Sequence, residues 1–377
     1  MESVYHSGSA NPSSVHSPGI RARHLVDDAR ARIAGVFDAR PADVVFTSGG
    51  TEANNLAIIG LALANPRGRH LVITPIEHPS ALESCRYLER VFGFELTLIP
   101  VDEYGLVDLE NVAAALRPDT TLLSVGLANA EVGTVQPVAE IAALARDLGV
   151  IMHTDAVQAA ASLPVIFGRR EGSGSRPDVA STHLGWPGSH VDAMTIASHK
   201  FGGPQGTGAL LVRRHLPLEP LIHGGGQEGG ARSGTENVAA VVGFAAAVTA
   251  NAAEIGTRAL ALLESRDALI ERVLTEVHGS QLTGHPSERL PGHASFIVAG
   301  VSGESLLVAL DAVGLAVSSG SACAAGMDEP SPALIAMGID PELAQTAIRF
   351  TLPEPLPDAS IERIAAVLRA EVASARR

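Results

Sequence analysis

Cysteine is scarce in this sequence, with only Cys85 and Cys323 among 377 residues. Two cysteines cannot supply the disulfide framework on which small secreted proteins depend. The first residues also lack a positively charged segment followed by an apolar one, which is the pattern of a secretory signal peptide. These absences predict a protein of a reducing compartment, and we expect it in the cytoplasm.

Basic residues and long apolar runs are also in short supply. Lysine and arginine number 27 against 41 acidic residues, which gives a net charge of −14. An acidic chain is repelled by a phosphate backbone, so we expect no nucleic-acid partner. The longest uncharged stretch, residues 237–253, includes Thr249 and Asn251 and is shorter than the roughly 20 residues that cross a bilayer. It predicts a buried helix, and we expect no membrane segment.

Short apolar runs alternate with helical patterns such as residues 138–148. This alternation predicts an α/β protein with a mainly parallel sheet covered on both faces. From about Arg258 the pattern changes to a long helix, a strand at 295–298 and further helices, which predicts a smaller C-terminal α+β domain. The predicted strands of the large sheet number seven: 44–46, 71–74, 96–100, 122–127, 150–153, 193–197 and 209–212.

The length of the chain predicts two domains. We expect an N-terminal segment at 1–20, a large domain at 21–255 and a small domain at 256–377. A segment rich in glycine, serine, proline and histidine, residues 168–190, is predicted to be an inserted surface flap, and it contains the only tryptophan, Trp186.

Three polar groups follow or end apolar runs of the large domain. Lys200 follows the run at 193–197, Asp155 ends another run, and the turn Ser48-Gly49-Gly50-Thr51 leads from a strand into a helix. A lone lysine at a strand end is usually a solvated surface charge. Pyridoxal phosphate, however, requires an amine for a Schiff base, a carboxylate for its pyridinium nitrogen and a cradle for its phosphate. The three features together predict a pyridoxal-phosphate site.

Ordered motifs along most of the chain resemble those of the cysteine desulfurases in the class V aminotransferase family. The resemblance implies a fold type I transferase that depends on pyridoxal 5'-phosphate and forms a homodimer. The motifs are Ser48-Gly49-Gly50-Thr51-Glu52-Ala53-Asn54-Asn55, Glu77-His78-Pro79-Ser80, Asn129-Ala130-Glu131-Val132-Gly133, His153-Thr154-Asp155-Ala156-Val157-Gln158, Ser198-His199-Lys200, His223-Gly224-Gly225-Gly226-Gln227-Glu228, Arg232-Ser233-Gly234-Thr235 and Ser318-Ser319-Gly320-Ser321-Ala322-Cys323.

The resemblance also implies a role for each matching residue. Lys200 would bind the cofactor and act as the base, and His78 would stack on the cofactor ring and move protons. Arg349 would bind the substrate carboxylate, and Asn129 would also contact the substrate. The remaining implied cofactor contacts are Gly50, Thr51 and His199 to the phosphate, Asp155 to the ring nitrogen, Asn129 and Gln158 to ring substituents, and Thr235 to the phosphate of the neighbouring subunit. Ala197 stands where the family commonly has a phosphate-binding serine, so Ser198 is the predicted replacement.

Cys323 lies in a predicted loop, residues 318–330, whose members up to Gly326 are all small. The resemblance implies that Cys323 takes the sulfur of L-cysteine as a persulfide and releases L-alanine. The sulfur would then pass to an acceptor protein, either an iron–sulfur scaffold or a thiolation enzyme. Cys85, on a predicted amphipathic helix, is interpreted as structural.

Two alternatives stay open. One is another class V enzyme, such as a selenocysteine lyase or an aminotransferase, although a transaminase would not need Cys323. The other is a catalytically impaired homologue that acts as a binding scaffold, because the family's first strand is not recognisable in residues 1–20. We expect no metal site, since the spacing of the candidate histidines fits no tight ligand set; these are His153, His183, His190 and His223.

Overall fold

The computed structural model describes residues 1–6, 10–65, 67–168, 186–187, 191–319 and 330–375. The helices are α1 (Glu2–His6), α2 (Ser17–Val36), α3 (Gly50–Ala64), α4 (Pro79–Phe92), α5 (Leu109–Ala115), α6 (Val138–Asp147), α7 (Val238–Glu276), α8 (Gly303–Asp311), α9 (Pro332–Ala336), α10 (Pro341–Ala344) and α11 (Asp358–Ala375). The strands are β1 (Val44–Thr47), β2 (His70–Ile73), β3 (Glu95–Leu98), β4 (Thr120–Ser124), β5 (Ile151–Asp155), β6 (Val165–Ile166), β7 (Trp186–Pro187), β8 (Ala193–Ala197), β9 (Gly208–Val212), β10 (Ser280–Leu282), β11 (His293–Val298), β12 (Ser318–Ser319) and β13 (Ala347–Thr351).

Seven strands form the large sheet, in the order β1-β9-β8-β5-β4-β2-β3. Strand β9 runs antiparallel to both of its neighbours, and the remaining strands are parallel to one another. Each of the seven predicted runs overlaps one of these strands. The prediction of a mainly parallel seven-stranded sheet is therefore confirmed.

Side chains alternate between the two faces of this sheet, as a strand requires. In β1, Val44 and Phe46 join one hydrophobic core cluster with α2, α6 and α7, whereas Val45 joins a second cluster with α3 and α4. In β2, Val72 faces the first cluster, and Leu71 and Ile73 face the second. Burial on both faces explains why these strands are continuous apolar runs.

A second sheet of four antiparallel strands has the order β10-β11-β13-β12. Helices α8 and α11 and the end of α7 pack on it around Leu269, Phe296 and Leu368. This is the small α+β unit that the sequence predicts. Helix α7 runs without interruption through residue 255, so the boundary predicted there lies inside a helix, and the division into domains stays a prediction.

Among the described residues, one helix, α7, is long and apolar enough to cross a membrane, judged by length and composition alone. Its apolar residues Phe244, Ala245 and Val248 are buried in the first core cluster. The prediction that residues 237–253 form a buried helix is thus confirmed for the part that starts at Val238.

Candidate active site

Several of the predicted site residues lie at the carboxyl edge of the large sheet. Asp155 is the last residue of β5, and Lys200 lies in the 3₁₀ turn Ser198–Phe201 directly after the neighbouring strand β8. Strands β5 and β8 are paired in register at Asp155 and Thr195. Open α/β sheets bind ligands outside the carboxyl ends of their strands. The chain segments that follow β1, β2 and β4 bring Gly50, His78 and Asn129 to this same edge.

The first turn of α3 lies between the segments that carry Asp155 and Lys200. A Cβ atom on Gly50 would be 2.9 Å from Val157 Cγ2 and 3.5 Å from Ala197 Cβ. The first amides of a helix have no intrahelical acceptor and favour anions. A Cβ atom on Gly49 would meet no heavy atom within 4 Å. Free donors beside open space fit a phosphate group.

The position of this turn is fixed by Glu52. Its carboxylate accepts the N–H of Ser48 at 2.8 Å and pairs with Arg232 at 2.9 Å. Burial raises the pKa of Glu52, but the hydrogen bonds from Arg232 and Ser48 outweigh it and hold this pKa below its ordinary value. Glu52 is therefore ionised at neutral pH and attaches α3 to the segment that contains Thr235.

Asp155 is oriented by two donors. Its Oδ1 accepts the N–H of Val157 at 2.9 Å, and its Oδ2 accepts Nδ2 of Asn54 at 2.6 Å. Gln158 follows in the same turn and is half-buried. A carboxylate held in this way fits a pyridinium nitrogen, which it would keep charged.

His78 caps α4 and is connected to Asp155 through two buried side chains. Nδ1 of His78 accepts the N–H of Ser80 at 3.1 Å and lies 2.7 Å from Ser80 Oγ. Nδ2 of Asn54 lies 2.9 Å from the same Oγ. The ring itself is exposed, as a ring that stacks on a cofactor requires. Sequence reasoning missed Asn54 and Ser80, although a polar residue on the otherwise apolar face of α3 indicates a buried hydrogen bond.

Glu77 ties the His78 loop to the segment after β4. Its two carboxyl oxygens accept the N–H of Gly126 at 2.9 and 3.0 Å, and Thr74 donates its hydroxyl at 2.7 Å. Burial, with a smaller contribution from the charge of Asp155, raises the pKa of Glu77 to about 7 despite these donors. The sequence predicted no role for this carboxyl group.

The side-chain amide of Asn129 likewise connects the loop before His78 to the segment after β4. Its Nδ2 donates to Ile76 O at 2.7 Å, and its Oδ1 accepts the N–H groups of Glu131 and Val132 at 2.8 and 2.9 Å. The predicted contact with ring or substrate therefore depends on the second hydrogen of Nδ2.

Arg349 reaches this loop from the small sheet. Its guanidinium donates to Ala130 O at 3.0 Å and to Ser318 Oγ at 2.9 Å. His293 on the neighbouring strand donates from Nε2 to Glu131 O at 2.9 Å, and burial lowers its pKa to about 3. The structure thus places the guanidinium of Arg349 against Ala130, the residue after Asn129, and the predicted substrate contacts stay a prediction.

The two residues predicted to bind phosphate beside Lys200 differ in accessibility. Ser198 is fully buried, and its Oγ has no hydrogen-bond partner among the described residues. A Cβ atom on Gly203 would lie 2.4 Å from that Oγ, so it faces the interior. His199 and Lys200 are exposed. Burial and the charge of Lys200 lower the pKa of His199, which favours a neutral ring.

Thr235 is not among the residues gathered around Lys200. It is exposed and lines a separate cavity of about 300 Å³ with residues from the N-terminal segment and α2, including Tyr5, Asn11 and Arg21. Its predicted contact with the phosphate of a neighbouring subunit stays a prediction.

Of the two cysteines, the structure describes only Cys85. Cys323 lies outside the described residues, as does most of the predicted insertion at 168–190. Cys85 is buried in the second core cluster, and burial, with the charges of Glu77 and Glu89, raises the pKa of its thiol. A buried thiol of this kind is unreactive, which agrees with the structural interpretation of Cys85.

Of the four histidines considered as metal ligands, the structure describes two, His153 and His223. His153 is buried, with Nδ1 2.9 Å from Ser124 Oγ and Nε2 3.1 Å from Thr195 Oγ1, and burial lowers its pKa to about 3. His223 is exposed, and His183 and His190 lie outside the described residues. His153 therefore acts as a neutral link between strands of the sheet.

Comparisons with known proteins give one family. Residues 1–169 and 179–353 match the family model described as Aminotransferase class-V. The chain is 42% identical to "Cysteine desulfurase IscS 1" of Archaeoglobus fulgidus, over 95% of this chain and 88% of that protein. The solved structure "NIFS-LIKE PROTEIN" has a TM-score of 0.86 and 31% identity, and the match covers 98% of this chain and 93% of that one. "SspA in complex with cysteine" has a TM-score of 0.75 and 30% identity, with 94% and 96% covered.

Proposed function

This chain belongs to the aminotransferase class-V family, and we propose that it is a pyridoxal-phosphate-dependent cysteine desulfurase that converts L-cysteine to L-alanine. One arrangement carries the proposal. Asp155 is the last residue of β5, and Lys200 directly follows the neighbouring parallel strand β8. The first turn of α3 lies between the two residues. The names of the related proteins support the choice of L-cysteine as substrate.

The residues of this edge fit pyridoxal phosphate, which supplies an electron sink for the Cα atom of an amino acid when it is bound. Lys200 would hold it, Asp155 would keep its ring nitrogen charged, and the first amides of α3 would bind its phosphate. The exposed His199 lies beside that phosphate position. The amine of Lys200 would also be the base that removes the α proton of the substrate.

Substrate orientation falls to Arg349 in this proposal. A guanidinium group can bind a carboxylate through two parallel hydrogen bonds. The guanidinium of Arg349 is held by hydrogen bonds to Ala130 O, in the loop that contains Asn129, and to Ser318 Oγ on β12. L-cysteine would thus be held by its carboxylate at one end, with its amino group towards Lys200.

Cys323 completes the reaction in this proposal. Its thiolate attacks the sulfur of the substrate, the carbon–sulfur bond breaks, and Cys323 keeps that sulfur as a persulfide while the carbon skeleton takes up protons and leaves as L-alanine. An acceptor protein, an iron–sulfur scaffold or a thiolation enzyme, would then receive the sulfur. The resemblance of the 318–330 segment to the family motif and the burial of Cys85 support the choice of Cys323.

A homodimer and a cytoplasmic location belong to the same proposal. The position of Thr235, in a cavity that none of the other predicted cofactor residues lines, supports a contribution to the site of a second copy. The low cysteine content supports a reducing compartment.

Release of L-alanine and sulfide from L-cysteine tests the proposal, with a thiol reductant present. We expect both products from the unmodified protein, their loss in Cys323→Ser and their retention in Cys85→Ser, which removes the buried cysteine as a matched control. Equal turnover by Cys323→Ser would contradict the persulfide step. The absence of both products from the unmodified protein loaded with cofactor would contradict the desulfurase itself.

A further inference from the structure

A chain of four polar side chains runs from Asp155 through Asn54 and Ser80 to His78. Its links are 2.6 Å between Asp155 Oδ2 and Asn54 Nδ2, 2.9 Å between Asn54 Nδ2 and Ser80 Oγ, and 2.7 Å between Ser80 Oγ and His78 Nδ1. Asn54 is 1% exposed and Ser80 is 9% exposed. Water cannot readily replace these links, so each of them contributes to the order of the site.

The position of every proton in this chain follows from its ends. An ionised carboxylate only accepts hydrogen bonds, so Asn54 donates one Nδ2 hydrogen to Asp155 and the other to Ser80 Oγ. The single hydrogen of the Ser80 hydroxyl is then directed at His78 Nδ1. Hydrogen bonds are thus donated outward from Asn54, to Asp155 on one side and through Ser80 to His78 on the other.

A backbone hydrogen bond independently shows that Nδ1 of His78 is an acceptor. The N–H of Ser80 lies 3.1 Å from His78 Nδ1, and a backbone N–H can only donate. Nδ1 must therefore carry a lone pair, and the hydrogen of the neutral ring is at Nε2. His78 is exposed, and the described residues provide its Nε2 with no hydrogen-bond partner.

We propose that Asn54 and Ser80 are positioning residues that hold neutral His78 in the Nε2–H tautomer and couple its orientation to Asp155. This inference rests on the proposed function, in which His78 stacks on the cofactor. It restricts the role of His78, because a neutral ring with its hydrogen at Nε2 offers the site a donor and no lone pair. His78 stacks and donates a hydrogen bond, and Lys200 remains the base.

The tautomer can be measured directly in the cofactor-free protein. We would record ¹⁵N chemical shifts of histidine-labelled protein well above the ordinary histidine pKa of about 6.5, and assign His78 by the signal lost in His78→Gln. We expect the Nε2–H tautomer to dominate. Ser80→Ala removes one of the two donors to Nδ1, so the tautomer ratio should fall roughly two- to tenfold. Asn54→Ala should change it in the same direction.

Ser84→Ala is the matched control. Ser84 is 2% exposed and lies one helical turn beyond Ser80, and its hydroxyl donates to Ser80 O at 2.7 Å without contacting His78. It should leave the tautomer ratio unchanged, and Ser80→Thr, which keeps the hydroxyl, should restore it. A dominant Nδ1–H tautomer in the unmodified protein, or identical ratios in Ser80→Ala and Ser84→Ala, would overturn the inference.

This measurement needs neither turnover nor cofactor, so its outcome is separate from that of the desulfurase assay. If the protein releases no L-alanine but the ratio changes as expected, the proposed function fails and the positioning role of Ser80 stands. If L-alanine is released and the ratio does not respond to Ser80→Ala, the positioning role fails alone.

Discussion

Glu77 shows how a single buried carboxyl group responds to competing surroundings. The N–H of Gly126 and the hydroxyl of Thr74 stabilise its charged form, whereas burial and the charge of Asp155 oppose it. Burial is the largest of these effects, and the pKa rises from 4.5 to about 7. The loop that carries His78 is thus attached to Gly126 by a group whose charge changes near neutral pH.

The pH dependence of stability provides a test. Because the folded protein binds this proton more tightly than the unfolded chain, the contribution of Glu77 to the free energy of unfolding is largest below about pH 4.5 and falls up to about pH 7. The fall is at most about 3 kcal/mol. We expect Glu77→Gln to flatten this part of the pH profile, measured by urea unfolding.

Glu83, on the helix α4 that begins just after Glu77, provides the control for that experiment. Its side chain is 59% exposed and pairs with Arg86 on the surface. Glu83→Gln removes an equal charge without burial, and it should leave the slope between pH 4.5 and 7 unchanged. A Glu77→Gln profile parallel to that of the unmodified protein would show that the raised pKa is wrong.

Individual site residues differ in how far the sequence could predict them. Lys200 and Asp155 are recognisable because a strand ending in a polar group is a local pattern. The links formed by Asn54 and Ser80 are not local, because these two residues lie 26 positions apart and meet only when α3 packs beside α4. Ser198 shows the opposite limit, since its neighbours in sequence do not reveal that its hydroxyl is buried against Gly203.

The turn between Asn129 and Gly133 is the element that connects the two sheets. Gly133 has a φ of +81°, and its N–H donates to Asn129 O at 3.1 Å. A Cβ atom at this position would lie 2.5 Å from the ring of His293, which is buried on β11. Glycine therefore allows both the turn and the close approach of β11, which pairs with the strand that carries Arg349.

Substitution of Gly133 by alanine should cost at least about 3 kcal/mol of unfolding free energy, because overpacking against His293 adds to the strain of a positive φ. Gly338→Ala is the matched control, with a φ of +83° and no heavy atom within 4 Å of the added Cβ. It should cost only about 1–2 kcal/mol. Equal losses in urea unfolding would contradict the predicted contact with His293.

In the molecule as a whole, alternating strands and helices determine the large sheet strongly enough for the sequence to predict all seven of its strands. In the small sheet the sequence predicts the strand at 295–298, which lies within β11, whereas β10 and β12 have only three and two residues and carry little periodic signal. The meeting of the two units at Arg349 and Ala130 joins residues 219 positions apart, and no local pattern reports such a contact. The proposed substrate position depends on this contact between the two sheets.

The proposed homodimer leads to a prediction about mixed dimers. If Thr235 serves the phosphate of the other subunit, a dimer of one Lys200→Ala chain and one Thr235→Asp chain has one intact site and one doubly altered site. Aspartate at 235 should repel the phosphate, so each variant alone should release little L-alanine from L-cysteine. Co-expressed and randomly paired, the two should recover about a quarter of the activity of the unmodified protein.

A second pairing serves as the control. Lys200→Ala with Asp155→Asn alters two residues that the structure places on neighbouring strands of one chain, so neither site of that mixed dimer is intact. It should remain inactive, whereas the pairing with Thr235→Asp recovers. Recovery in neither pairing would place Thr235 in the site of its own chain, and full activity of the Thr235→Asp chain alone would place it outside the site. Selective recovery would mean that each active site is completed by the second copy, and a lone chain would then lack one contact to its cofactor phosphate.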